Sequence, residues 1–422
     1  MSATRGLLAA ALLCAALPLR AEPGAPAAGD AVDSPLAAAD STGPVAGSAA
    51  RPGARGREAP AAPRPFVIGG YDDKPWLTGF FGRIRVGGYV EALGAWAREG
   101  GVTGELGTQL TRWNLLAATE LGPRVRVFSE LEFEEGGAEV TLELVQVDVR
   151  LVDALQLRAG MLLLPLGRFN LAHDAPRNEL PGRPAEAEQL LGVALAQPGL
   201  GGFGLIERAG SRLTWELYAV NGYHDGLLTA SPEGTRLPAG RRNPEDANAS
   251  PALVGRLEWS RGARASVGVS GYHGAYNVYR LEGLDVDERR DVGVAALDLE
   301  ATLGPVTLSG EAAGVRVELP PSLAGVFAAR QGGLFVQVAA PFALPRAPTR
   351  SSSRWTAAAR VDVVDLDRDR PGDSLRSWTL GVNVRPAPET ACKLAFTRGE
   401  TRDRFDNLAT FARLELGVAT YF

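Results

Sequence analysis

The sequence predicts an all-β chain folded as one transmembrane antiparallel β-barrel of about 16 strands. Three observations predict it. Apolar and polar residues alternate with a period of two over most of the length, connections alternate between long and short, and the last strand-like run ends on Phe422.

The N-terminal 65 residues stand outside this pattern. Residues 7–17 form a solid apolar block, shorter than the roughly 20 residues a spanning helix needs. Arg5 precedes the block and small residues follow it to Ala21, the layout of a secretory signal peptide over 1–21. Cys14 lies inside it, but Leu13 is too bulky for a lipoprotein cleavage site, which argues against a lipid anchor. Residues 22–65 are rich in Ala, Pro, Gly and Ser and hold hardly any large apolar side chain. They cannot bury enough surface to offset chain entropy, so a disordered periplasmic linker is expected. With the signal removed, Cys392 is left without an intramolecular disulfide partner. An exported chain of this size then needs another source of stability, and a sheet closed in lipid is one.

Residues 66–422 carry the barrel pattern. Strands are expected at 82–95, 109–120, 123–134, 138–150, 154–164, 202–208, 211–221, 251–260, 263–275, 290–302, 305–318, 330–340, 353–365, 375–386, 389–398 and 408–422. Near the start, Val125, Val127, Leu131 and Phe133 share one parity while Arg124, Arg126, Glu130, Glu132 and Glu134 share the other. Further on, Trp355, Ala357, Ala359, Val361 and Val363 oppose Arg354, Arg360 and Asp362. One greasy and one polar face means a sheet covered on one side only. Within 290–302 and 305–318 the parity slips phase, and no inward set can be read there.

Short connections at Gly122-Pro123, Leu151 to Asp153, Ala209-Gly210, Arg261-Gly262 and Gly304-Pro305 alternate with long ones near 96–108, 168–201, 222–250 and 276–289. A soluble sandwich has no reason for that asymmetry, whereas outer-membrane barrels have short periplasmic turns and long external loops. Glu135–Gly137 is too short for the external side, and Pro341–Ser352 too long for the periplasmic one. Lipid offers no partners to backbone groups, so the sheet must close without an edge. Trp96, Trp113, Trp215, Trp259, Trp355 and Trp378 are candidates for interfacial girdles. The terminus, FARLELGVATYF, puts Leu414, Leu416, Val418 and Phe422 on one face, with Arg413, Glu415 and Tyr421 on the other. It resembles the C-terminal signal of bacterial outer-membrane proteins, with Tyr421 and Phe422 closing the barrel.

The fifth strand breaks at Pro165-Leu166-Gly167 and empties into a long polar stretch. Pro165 has no backbone donor to continue a ladder, and Gly167 permits a sharp redirection. LRAGMLLLPLGRFN, followed by HDAPRNELPGRP and later YAVNGYHDG, resembles the phosphate-selective porin O/P family and its relatives. There a strand of pattern x-x-x-G-x-x-x-x-P-x-G enters the third external loop, and here Gly160, Pro165 and Gly167 fill those places. The likeness covers most of 66–422 in layout and about 158–226 in motif. It implies an outer-membrane pore whose loop 168–201 folds inward, exported by its signal peptide, inserted by the barrel-assembly machinery and assembled as a homotrimer.

Arg168, His173, Asp174, Arg177, Glu179 and Arg183 are then the candidate lining of the narrow passage, because rings of charge select what a pore admits. Parity adds Arg124, Arg126, Glu130, Glu132, Arg158, Arg256, Glu258, Arg360, Asp362 and Arg385 as lumen-facing. This mixture of signs differs from the basic lumen that phosphate channels use. Of 44 basic residues only Lys74 and Lys393 are lysines, which codon composition explains, and the formal charge of −5 gives no basic face for nucleic acid. No spacing ties Ser, His and Asp into a catalytic set, and no metal or cofactor motif stands out, so neither enzyme nor cofactor is expected. The rival reading is a non-conducting structural or adhesion barrel in the same outer-membrane lipid.

Overall fold

The computed structural model describes Ile68, Lys74, residues 84–343 and residues 354–422. The signal peptide and linker readings therefore lie outside the described residues, as does most of the expected connection at Pro341–Ser352.

The described chain forms sixteen long strands. The first four are β1 (Ile84–Glu99), β2 (Gly107–Leu121), β3 (Val125–Glu134) and β4 (Glu139–Val152). Next come β5 (Leu155–Leu163), β6 (Ala196–Arg208), β7 (Ser211–Val220) and β8 (Ala252–Arg261). β9 (Ala265–Ala275), β10 (Asp291–Leu303), β11 (Val306–Val317) and β12 (Arg330–Phe342) follow. The last are β13 (Arg354–Asp365), β14 (Ser374–Ala387), β15 (Thr390–Arg402) and β16 (Leu408–Tyr421). Each pairs antiparallel with the next, and β1 pairs with β16 from Tyr89↔Tyr421 to Glu99↔Phe411. The barrel is closed. Gly88 and Phe422 exchange backbone hydrogen bonds of 3.2 and 3.0 Å at the seam.

Alternation decides which face is which. Val361, Leu380, Leu394, Leu416 and their outward neighbours are exposed, while Arg360, Asp362, Thr379, Asn383 and Glu415 are buried inside. Among the described residues the register shifts at four places, two of them well inside the ladder. On β2 the step past Glu91/Ala92 of β1 leaves Thr111 unmatched, and on β4 Glu143 is the extra residue, so Glu143 and Leu144 are both buried. At one end the connections are brief, such as Ala209–Gly210, where both residues take positive φ (50° and 76°) as a two-residue hairpin requires. At the other end they are mostly long, although β3 and β4 are joined there by the short turn Glu135–Gly137.

The interior is only partly polar. Toward the long-loop end, Tyr218, Val220, Val254, Tyr272, Val292, Val294, Val315 and Val317 point inward. They pack on loop residues Leu190, Leu191, Leu195, Tyr223, Leu227 and Leu237. Each such leucine contributes about 1.5–3 kcal/mol on burial. The phase slip on β10 and β11 has its reason here. Inward Val292, Val294 and Ala296 face a loop core, and outward Leu297 and Leu299 are exposed on the barrel wall, so both parities read as apolar.

Candidate functional site inside the barrel

The connection from β5 to β6, residues 164–195 (L3 hereafter), is shorter than the expected 168–201 because β6 already begins at Ala196. Its neck is tied by one side chain. Asn170 donates to the carbonyls of Leu164 and Leu195 (2.8 and 3.2 Å) and accepts from the Leu195 amide (2.9 Å). Gly167 turns the chain with φ +74°, and a Cβ there would collide with the Glu311 carboxylate. That carboxylate, from β11, accepts from the amides of Arg168 and Phe169 at 2.7 and 2.9 Å. The Gly167 amide donates to Ser270 Oγ on β9 (2.9 Å), and the Arg168 guanidinium to Glu300 on β10 (2.8 Å).

Farther along, L3 reaches the opposite wall. Arg385 and Asn383 of β14 donate to the Pro176 carbonyl (2.7 Å) and to Glu179 (2.5 Å). Arg360 of β13 donates to the carbonyls of Gly182 and Arg183, both at 2.8 Å, and Asp362 accepts from the Ala185 amide at 3.0 Å. L3 is thus bonded to inward side chains on both sides of the barrel.

His173 and Asp174, expected at the passage, are instead buried at 1% exposure each. They belong to a charge cluster with Lys74, Glu130 and Glu143. His173 Nδ1 lies 2.7 Å from the Asn170 carbonyl and Nε2 lies 2.8 Å from a Glu143 oxygen. A carbonyl at Nδ1 and a carboxylate beside Nε2 both favour the imidazolium. Burial opposes that charge, but Glu143 and then Asp174 outweigh it and push the pKa up to about 9. Burial likewise opposes ionisation of Asp174, and Lys74, His173 and Arg177 overcome it, holding the carboxyl well below its usual range.

Arg168, Arg177 and Glu179 do reach open space. With Glu300, Arg354 and Arg360 they help line a cavity of about 600 Å³ beneath L3, against β10–β13. Arg183 does not line it; its carbonyl is held by Arg360 and its Nη2 is buried without a hydrogen bond. On the one-turn π-helix Glu186–Leu191, Glu188 is exposed, with Arg413, Arg360 and Arg112 as its charged neighbours. The enclosing protein raises its pKa and those arginines pull against that. Glu186, beside it, is fully buried, and neither carboxylate oxygen has a hydrogen-bond partner. Burial, Glu311 and Asp362 push its pKa well up.

Of the parity set, Glu130, Glu132, Arg158, Arg256, Glu258, Arg360 and Asp362 are buried within the barrel, and Arg126 and Arg385 half-buried. Arg124 departs from that set: it sits exposed in the β2–β3 turn, outside either strand. Most of these charges are ion-paired, some between strands and some, like Arg360 with Asp362, along one strand. Arg158 lies 2.7 Å from Asp148, and Arg256 makes a bidentate pair with Asp298 at 2.5 and 2.9 Å. Sequence reasoning missed Lys74, Lys393, Glu188, Glu311 and Arg413. Only the lysines carried a signal, in their rarity. Among the described residues no group of His, Cys, Asp and Glu is placed to hold a metal ion.

No family model matches the chain. An uncharacterized protein of Aquifex aeolicus (strain VF5) is 24% identical over 310 residues, 66% of this chain and 67% of that one. Among solved structures, the chain is similar to OprB of Pseudomonas putida, with a TM-score of 0.53 and 10% identity over 82% of this chain and 98% of that one. OmpF of Salmonella typhi gives 0.52 and 10%, covering 80% and 97%. The fold is that of outer-membrane porins. The outer membrane channel DcaP of Acinetobacter baumannii shares it, at a TM-score of 0.51 and 12% identity over 80% of this chain and 97% of that one.

Proposed function

We propose that the chain is an outer-membrane porin that passes small hydrophilic solutes or ions by diffusion, narrowed by L3. The observation that carries this is the bonding of L3 to inward side chains of β9–β11 on one side and β13–β15 on the other. A loop so held leaves the solute only the mixed-charge space beside it. Arg168, Arg177, Arg354 and Arg360 against Glu179, Glu300 and Glu188 would set a transverse field there, not a single-sign funnel. That mixture favours a general porin over the phosphate selectivity of the family the motif resembles. Export through residues 1–21, insertion by the barrel-assembly machinery and assembly as a homotrimer belong to the same reading.

Single-channel recording of the refolded protein in a planar bilayer, with reversal potential across a KCl gradient, tests it. Discrete steps with weak selectivity are expected. A strongly anion-favouring potential would return phosphate to consideration, and a folded barrel without steps would leave a structural or adhesion protein.

A further inference from the structure

The chain's only two lysines end on neighbouring residues of L3. Lys74 Nζ lies 2.7 and 2.9 Å from the oxygens of Asp174 and 3.2 Å from Glu130 Oε2 on β3. Lys393 Nζ, from β15, donates to the Ala175 carbonyl at 2.6 Å. Both are buried, 7% and 2% exposed. A guanidinium is a rigid planar fork, while an ammonium is a compact charge with three rotatable donors. At Lys74 that compact charge reaches two oxygens of Asp174 on L3 and one of Glu130 on β3.

The two differ in what holds them. Lys393 is fixed in the ladder, paired with Asn383 on one side and Gly417 on the other. Lys74 precedes β1 and belongs to no strand. Ile68, also ahead of β1, is half-buried against the cluster of Leu116, Phe128, Leu144 and Leu171, which L3 itself enters through Leu171. Of the residues ahead of β1, Lys74 therefore binds L3 directly and Ile68 packs on the cluster that Leu171 of L3 joins.

We propose that the lysines form a two-part clamp that sets the position of L3, with Lys393 as its fixed half and Lys74 as its releasable half. The electrical consequence rests on the pore reading; the clamp itself does not. Asp174, Glu130 and Glu143 draw much of their compensation from Lys74. Removing one partner of a buried charge cluster is far costlier than breaking a surface pair. Without that ammonium the acids repel, L3 moves, and the lumen gains negative charge.

Lys74→Gln is the test, read by single-channel recording and by trypsin digestion of the folded protein with mass spectrometry. The wild type should resist cutting after Arg177. Lys74→Gln should be cut there, its current should flicker, and its cation-to-anion permeability ratio should rise about twofold or more. Lys74→Arg, which keeps the charge, should restore the selectivity. If Lys74→Gln does not fold, Lys74→Gln with Asp174→Asn removes the charge imbalance while still lacking the clamp, and it too should be cut after Arg177. Trypsin resistance and unchanged selectivity in a folded Lys74→Gln protein, or trypsin resistance in the folded double variant, would overturn the clamp. A wild type without channel steps would overturn the pore reading instead, and the trypsin arm would still decide the clamp.

Discussion

At the scale of residues, His173 shows how an inward charge can be structural. Its folded pKa, about 9, lies above the ordinary histidine value of about 6.5. The stabilisation it lends is therefore fully present below pH 6.5 and is lost as pH rises through about 9. Its size is on the order of 3 kcal/mol. The groups facing the ring are Glu143 on β4, Asp174 on L3 and Lys74 ahead of β1. L3 should accordingly stay resistant to trypsin after Arg177 from pH 6.5 to 8 and become cuttable between pH 8.5 and 10. Equal resistance at pH 7 and pH 10 would show that the imidazolium is not needed. Parity could not tell a paired, buried charge from one in open water. Arg256 with Asp298 and Arg158 with Asp148 depend on register across the ladder, and His173 with Glu143 depends on the path of a loop. None of that is periodic.

Elements were legible where one face met lipid and the other met water. β13 runs from Arg354 to Asp365 against an expected 353–365, and β16 from Leu408 to Tyr421 against 408–422. β6 began six residues earlier than expected, because Gly199, Gly201, Gly202 and Gly204 thin out its alternation. β10 and β11 lost their phase because loop residues supply an apolar partner inside the barrel, which only tertiary structure reveals. The entry to L3 was legible from Pro165 and Gly167, and its geometry makes Gly167 testable. Alanine there must accept φ near +74° and displace the Glu311 carboxylate that holds the amides of Arg168 and Phe169. With ψ 162° this is an extended positive-φ conformation almost closed to side chains, costing on the order of 1–3 kcal/mol, and losing two charged hydrogen bonds adds to it. Gly167→Ala should leave the barrel folded, judged by its heat-modifiable mobility on gels, while broadening the distribution of single-channel steps. A step size as sharp as the wild type's would mean that the turn does not position L3.

For the molecule as a whole, closure between β1 and β16 and an outward apolar face make the barrel self-sufficient without L3. The ladder pairs every neighbouring strand, and the outer residues need only lipid. L3 adds contacts to the inner wall but completes no ladder beyond the single bond from the Leu164 amide to the Leu195 carbonyl. Stability of the barrel and width of its lumen are therefore separable. Replacing residues 172–188 by a short Gly/Ser linker removes the reach to β13–β15 and keeps Gly167, Asn170 and Leu195 at the neck. It also exposes Arg360, Asp362, Asn383 and Lys393, which would become hydrated and not orphaned, because the vacated space is wet. Single-channel conductance should then rise about twofold or more, with larger sugars entering liposomes that exclude them in the wild type. Unchanged conductance from a barrel of normal mobility would place the narrowest point elsewhere. The candidate would then be residues 221–251, which fill the long-loop end with Tyr223, Leu227 and Leu237 and are pinned to Asp373 by Arg236 at 2.7 and 2.9 Å.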